Sequence, residues 1–183
     1  MIYVYKQPTA KWGFLALMVF SFAMEYFRQK SRRVNRLVLL VLLPFMRRHE
    51  IKGVAATTPL LVSVTFLIWT FPLSTVELAL LFLAFADPLA SMVGILFGKT
   101  KWLYGKSIEG SLAAAAVCSF VFYAFIWARL GMLSPSWSLV VMAGFIGAIA
   151  EALPIFNLDD NLTMPILSAT GLWVLLFFSG YLV

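Results

Sequence analysis

Apolar residues fill this chain in long blocks separated by short polar intervals, at residues 12–27, 53–71, 76–98, 111–133, 137–153 and 164–183. A helix that crosses the hydrocarbon core of a bilayer needs about 20 such residues, with a range of about 17–25. Each block is therefore predicted to span, the first being slightly short. Segment 37–46 differs: as a helix it would rise only about 15 Å, half the core thickness, and it is basic on both flanks. It is expected to dip into the membrane or lie along its interface. The pattern predicts an all-α, polytopic membrane helix bundle over residues 1–183, with about six spanning helices plus a short interfacial or re-entrant segment.

Composition supports that class. The chain is 62% hydrophobic, 16% aromatic and only 12% charged, with a mean hydropathy of +0.94, more apolar surface than a soluble domain can bury. No shift in composition marks a second domain. The first block ends in Glu25 and Arg28 rather than in small residues, so it reads as a retained helix and not as a cleaved secretory signal. The lone Cys118 excludes an internal disulfide, and the alanines at 113–116 suit close helix packing.

The net charge of +6 does not point to nucleic acid, because eight of the fourteen Lys and Arg lie between Arg28 and Lys52. Such clustering anchors a membrane protein on its cytoplasmic side against anionic headgroups. With residues 28–36 and 47–52 inside, turns 72–75 and 134–136 fall outside, as do both termini. Loops 99–110 and 154–165 return to the cytoplasm. Every charged motif then lies on one face of a multi-pass protein, for which a cell membrane is expected.

Those motifs carry the candidate chemistry. A carboxylate in hydrocarbon costs about 2.5–3.5 kcal/mol on insertion scales, so an intramembrane Asp87 is a functional candidate. Asp-Pro favours a helix start, which predicts a broken helix whose second half begins at Asp87, with Ser91, Gly94 and Gly98 on the same face. The glycines leave room for a ligand or another backbone to come close, and Asp87 would serve there as a Mg²⁺ ligand beside a nucleotide, or as a plain N-cap with the glycines packing helices.

Lys99, Lys101 and Lys106 occupy a loop with Gly98, Gly105 and Gly110. Lysine neutralises phosphate and glycine lets backbone amides converge on an anion, although the spacing is not that of a P-loop. Ser107, Glu109, Gly110 and Ser111 follow Lys106 directly. Glu151, near a helix end, and Asp159-Asp160-Asn161 offer oxygen ligands to a hard divalent ion, with capping as the other reading of the latter run. Glu25…Arg28 and the segment Arg47 to Gly53, with His49 and Glu50, read as interfacial charges paired locally.

Taken in order, Asp87-Pro-Leu-Ala-Ser-Met-Val-Gly94, Gly98-Lys99, Lys106-Ser-Ile-Glu-Gly-Ser111, Glu151-Ala-Leu and Asp160-Asn-Leu-Thr-Met-Pro165 resemble the polyprenol kinase family, which includes dolichol kinase, phytol kinase and the CTP-dependent diacylglycerol kinase. Glu25…Arg28 and Arg47-x-x-Glu50-x-x-Gly53 are similar to its pattern too. One departure is that the Arg-Lys-x-x-His segment of many relatives is not found between Met1 and Phe27. Either this member is shorter or its first element is missing.

The resemblance implies phosphoryl transfer from CTP, with ATP or UTP as alternatives, to a lipid alcohol at the cytoplasmic face. Dolichol and other polyprenols, phytol and diacylglycerol all qualify as acceptor. On that reading Asp87 and Asp160 hold Mg²⁺ with Asn161 in support. Lys106, with Lys99 or Lys101, neutralises the phosphates, and Gly94, Gly98, Ser107 and Gly110 complete the nucleotide site. Glu109 orients Lys106 or a metal water, and Glu151 acts as general base. Two alternatives remain: a CTP-dependent lipid cytidylyltransferase, and a small ion-coupled transporter built on the broken helix.

Overall fold

The computed structural model describes residues 8–42, 53–102, 105–130, 135–153, 155 and 158–181. Within them the chain forms α1 (Pro8–Lys30), α2 (Arg32–Leu42), α3 (Thr57–Thr70), α4 (Leu73–Phe97), α5 (Ile108–Leu130), α6 (Trp137–Ala152) and α7 (Asp160–Phe178). Among the described residues there is no strand, only an isolated bridge between Lys101 and Ser107. Three helices, α4, α5 and α7, are long and apolar enough to cross a bilayer. The apolar α3 and α6, with 14 and 16 residues, reach about 21 and 24 Å, short of a core of about 30 Å. α1 has 23 residues but carries Lys11, Glu25, Arg28 and Lys30.

Helix boundaries follow local chemistry. Pro72 holds Phe71 extended at φ −113°, ψ 158°, as the residue before a proline must be. This ends α3 and starts α4 within two residues, so the two run antiparallel. The expected break at Asp87-Pro88 is absent, and α4 is one helix with Pro88 inside it. Pro88 deprives the Ala84 carbonyl of its helical donor, but both residues are exposed, whereas Phe82, Leu83, Ala86 and Ala90 are buried on the inner face. Packing on both sides of the missing bond holds the helix continuous, as membrane helices allow.

α4 to α7 share a core that includes Phe82, Phe122, Ile126, Leu172 and Leu176, all fully buried. The α5–α6 seam is its tightest part. A Cβ on Gly144 would strike the Ser119 hydroxyl and come within 2.6 Å of the Ala115 carbonyl, and one on Gly147 would strike Cys118. Small residues thus let the backbones approach, as the alanine run predicts. On the outside, Phe85, Ile95, Phe120, Phe145 and Phe178 are among many exposed large apolar side chains. A surface of this kind belongs against lipid.

α1 packs on α3 through a Ser21–Thr58 hydroxyl pair at 2.7 Å and a Trp12–Trp69 edge contact at 5.6 Å. At its end Arg28 pairs with Glu25 at 2.6 Å and donates to the Gly53 carbonyl, the local pairing expected of that motif. α2 begins earlier than segment 37–46 and takes Arg32, Arg33 and Arg36 into the helix. Residues 43–46 and the Arg47 to Lys52 run, with His49 and Glu50, lie outside the described residues. At the far end of the bundle Arg129 pairs with Glu77, and Tyr123 stacks on Trp137 at 6.0 Å.

Candidate active site

Three helix ends and a hairpin meet beside the C-terminal half of α4. Glu151 occupies the last turn of α6, Asp160 opens α7, and Lys106 immediately precedes the Ser107 cap of α5. The intervening loop folds back on itself: Trp102 N–H donates to the Lys106 carbonyl at 3.0 Å and Ile108 N–H to the Thr100 carbonyl at 2.9 Å. Gly105, at φ +84°, makes the turn, a left-handed conformation that favours glycine. The result is a cavity of about 410 Å³ walled by Ser91, Gly94 and Gly98 of α4, Lys101 and Lys106 of the hairpin, and Glu151.

Lys106 is the electrostatic centre. Its ammonium lies 2.7 Å from Glu151 Oε1 and 3.6 Å from Asp160 Oδ2. Partial burial alone lowers its pKa, but the hydrogen bond and charge of Glu151, with Asp160 and Asp87 behind, outweigh this and raise it above the ordinary 10.5. Lys106 is therefore cationic throughout the physiological range. Glu151 is 5% exposed, and its second oxygen, Oε2, is buried without a hydrogen-bond partner. A buried acceptor of this kind is costly to leave unmet, which marks the place where a ligand's donor would be accepted.

The glycines admit a neighbouring backbone, one of the two tasks open to them from sequence. Ser107 Oγ accepts from Gly110 N–H at 3.0 Å, the usual side-chain cap at a helix start. A Cβ on Gly94 would lie 3.0 Å from that oxygen. On Gly98 it would meet the Gly94 carbonyl and lie 2.8 Å from Ser107 Cβ, and on Gly110 it would lie 2.9 Å from the Ala90 carbonyl. Gly94, Gly98 and Gly110 thus surround the capped Ser107 and let α5 start against α4. They shape the cavity wall by close packing, and the Ser107 hydroxyl proton remains for a ligand.

Asp159 caps α7. Its Oδ1 accepts from Asn161 N–H at 2.9 Å and from Asn161 Nδ2 at 2.8 Å, which leaves the carboxamide oxygen of Asn161 for a ligand. Asp160 and Asn161 stand in the first turn of the helix rather than in a loop. Pro165, buried inside α7, removes the donor that the Asn161 carbonyl would have had. Ser63 Oγ of α3 takes over, 2.9 Å from that carbonyl, while also lying 2.8 Å from its own Leu60 carbonyl. No pattern within α3 marks Ser63 for this role; the only signal is proline at the fourth position after Asn161.

Of the residues picked from sequence, Lys106, Glu151, Asp160, Ser91, Gly94, Gly98, Lys101, Ser107 and Gly110 converge here. Asp87 lies one helical turn before Ser91 on α4 and acts on Lys106 by its charge. Two expectations change. Glu109 Oε1 accepts from the Lys99 backbone N–H at 3.2 Å and makes no ion pair with Lys106, because its place in the first turn of α5 faces the start of the hairpin. The same contact engages Lys99 through its backbone, and Lys99 is not among the cavity's lining residues.

For Mg²⁺, the described residues contain no ready cluster of three acidic or imidazole ligands. Magnesium beside a nucleotide takes only one or two carboxylates, the rest being water and phosphate oxygens. Asp160 with the Asn161 carboxamide oxygen, and Asp87 on the facing helix, fit that requirement.

Among known proteins, the chain is similar to CTP-dependent diacylglycerol kinase 1 of Schizosaccharomyces pombe, at 31% identity over 182 residues that take in 92% of this chain and 80% of the relative. The protein of the same name from Eremothecium gossypii is 30% identical over 154 residues, 73% of this chain and 48% of the relative. That of Saccharomyces cerevisiae is 24% identical over 191 residues, 92% of this chain and 66% of the relative. No family model matches the chain, and no solved structure matches it.

Proposed function

We propose that this chain, which belongs to the family of the CTP-dependent diacylglycerol kinases, transfers the terminal phosphoryl group of CTP to the free hydroxyl of diacylglycerol at the cytoplasmic face of its membrane. The observation that carries the reading is the Lys106–Glu151–Asp160 cluster, in which a lysine held cationic adjoins a carboxylate with an unpartnered buried oxygen. Phosphoryl transfer needs mainly positioning and charge neutralisation, and this cluster supports the reading on both counts. Diacylglycerol is favoured over dolichol, phytol or another polyprenol by the names of the relatives.

The acceptor oxygen attacks the terminal phosphorus, its O–H proton passes to Glu151 Oε2, and the bond to the β-phosphate oxygen breaks to release CDP. Lys106, with Lys101 from the hairpin, opposes the negative charge of the triphosphate. Asp160, Asn161 and Asp87 would hold Mg²⁺, which when bound neutralises charge on the phosphate oxygens. The N-terminal ends of α5 and α7 add a favourable field for anions.

A single domain with six membrane passages is part of the proposal, α3 and α6 crossing where the bilayer thins or the helices extend. The cytoplasmic orientation is supported by Arg28, Lys30, Arg32, Arg33 and Arg36 on α1 and α2 together with the hairpin lysines.

The test uses the full chain in lipid nanodiscs with CTP labelled on the terminal phosphate, Mg²⁺ and diacylglycerol. Labelled phosphatidic acid from wild type, and its loss in Glu151→Gln and Asp87→Asn, is expected. Pyrophosphate and CDP-diacylglycerol, formed when phosphatidic acid is supplied in place of diacylglycerol, with no phosphatidic acid made from diacylglycerol itself, would replace the kinase reading with cytidylyl transfer.

A further inference from the structure

A second cavity, of about 250 Å³, opens between α5 and α6 and is lined by Trp102, Ser111, Ala115, Phe145, Ala148 and Ile149 among others. Ser111 lines this apolar cavity and also the polar one that contains Lys106 and Glu151. It is therefore the junction between a charged chamber and a greasy groove. Ser111 is 8% exposed, and its Oγ is buried with no hydrogen-bond partner. A helical serine can satisfy itself on the preceding turn, yet here that oxygen is unsatisfied at the boundary, as is Glu151 Oε2 on the other wall. One unmet oxygen where groove and chamber join, and a second inside the chamber, suit a ligand with a hydroxyl at the head of a hydrocarbon chain.

Ala115 and Ala148 make the groove. Their methyl side chains form part of its lining where larger residues on the facing helices would fill the space. A larger apolar cavity of about 490 Å³ between α1, α2 and α3 is the competitor. It has no lining residue in common with the charged chamber, and in it Ser21 pairs with Thr58 at 2.7 Å and Arg28 with Glu25 at 2.6 Å.

We infer that the α5–α6 groove receives the headgroup-proximal part of the acceptor lipid's hydrocarbon chain, with Ser111 Oγ hydrogen-bonded to a headgroup oxygen so that the reacting hydroxyl faces Glu151. This rests on the kinase reading and names the lipid subsite of that site. Trp102, on the hairpin, also lines the groove, so the lipid chain would touch the loop that carries Lys106.

The experiment is photo-cross-linking of wild type in phosphatidylcholine nanodiscs by diacylglycerol with a diazirine near the ester carbonyl, followed by peptide mapping, in parallel with transfer kinetics. Expected are adducts on Leu112, Ala115, Phe145 or Ile149, suppressed by excess unlabelled diacylglycerol and not by added phosphatidylcholine. Ala148→Phe is expected to abolish them. Ser111→Ala should raise the KM for diacylglycerol about 3–10-fold, the loss of one hydrogen bond, with the KM for CTP unchanged and Ser111→Thr restoring it.

Adducts confined to the α1–α3 cavity, or displaced equally by phosphatidylcholine, would overturn the inference while leaving the kinase reading intact. Groove adducts that compete as expected in a protein that leaves diacylglycerol unphosphorylated and instead converts added phosphatidic acid to CDP-diacylglycerol and pyrophosphate would uphold the groove and remove the kinase. Because the mapping uses wild type, misfolding of a variant does not decide the result.

Discussion

The replacement of a helical hydrogen bond by Ser63 can be isolated with a double-mutant cycle. Pro165 leaves the Asn161 carbonyl without a helical donor, and Ser63 Oγ stands 2.9 Å from it across the α3–α7 contact. Ser63→Ala removes that donor, the Ser63 side chain being fully buried and Asn161 partly so. A net hydrogen bond is worth about 0.5–1.5 kcal/mol, rising to about 1–3 kcal/mol when a buried acceptor is left unmet; this bond is only partly buried, so about 1–2 kcal/mol is expected. Pro165→Ala restores an N–H to the helix at the position that the carbonyl needs. In that background Ser63→Ala should cost about 1 kcal/mol less, a coupling large enough to measure between residues with a common partner.

Equilibrium unfolding of the four proteins in mixed micelles gives the cycle, and the slope of the transition checks that the unfolded reference is unchanged. Additive effects would refute the reasoning and assign the hydroxyl proton to the Leu60 carbonyl, 2.8 Å away. If coupling is found, the same cycle read in CTP turnover tests whether the contact also holds Asp160 and Asn161 in place.

Other outcomes follow from the site. Lys106→Met should lower the transfer rate by at least about a hundredfold, the usual scale for removing a preorganised charge from a transition state, and radiolabel transfer measures it. The raised pKa of Lys106 means that its contribution to stability is complete below about 10.5 and is lost as pH rises through the higher folded value. Thermal unfolding of wild type and Lys106→Met should therefore differ at pH 8–9 and converge in strong alkali. Gly94→Ala meets only the Ser107 hydroxyl, whereas Gly110→Ala also meets the Ala90 carbonyl. Each should destabilise by about 1–3 kcal/mol, and Ser107→Ala should relieve the first more than the second. Asp159→Ala removes the α7 cap and should cost about 1 kcal/mol in the same unfolding assay.

What the sequence discloses about this molecule depends on whether the signal is local. Long apolar blocks foretell α4, α5 and α7, and the Asp, Lys and Glu motifs foretell the convergence of Lys106, Glu151 and Asp160, because a charge in an apolar chain has few places to go. Pro88 misleads because a helix break is decided by packing on either side of the proline, which no single-residue rule contains. Gly94, Gly98 and Gly110 leave two readings open along the chain. A glycine that admits a phosphate and one that admits a neighbouring serine look identical along the chain, and only the approach of α5 to α4 separates them. Ser63 was beyond reach, since it matters through an atom on another helix; Ser111 stands within the Lys106–Ser111 motif, but its place between two cavities has no signature along the chain.

The α5–α6 seam has a mechanical consequence. With Gly144 and Gly147 leaving no room for even a methyl group, the two helices cannot slide past each other without losing contact along their whole length. The walls bearing Ser111 and Glu151 therefore behave as one stiff body. The hairpin is tied to that body by the Ile108 N–H on the Thr100 carbonyl and the Glu109 carboxylate on the Lys99 N–H, so Lys106 inherits its position from the start of α5. A substitution that loosens the seam would thus be felt at the ammonium without touching any charged residue.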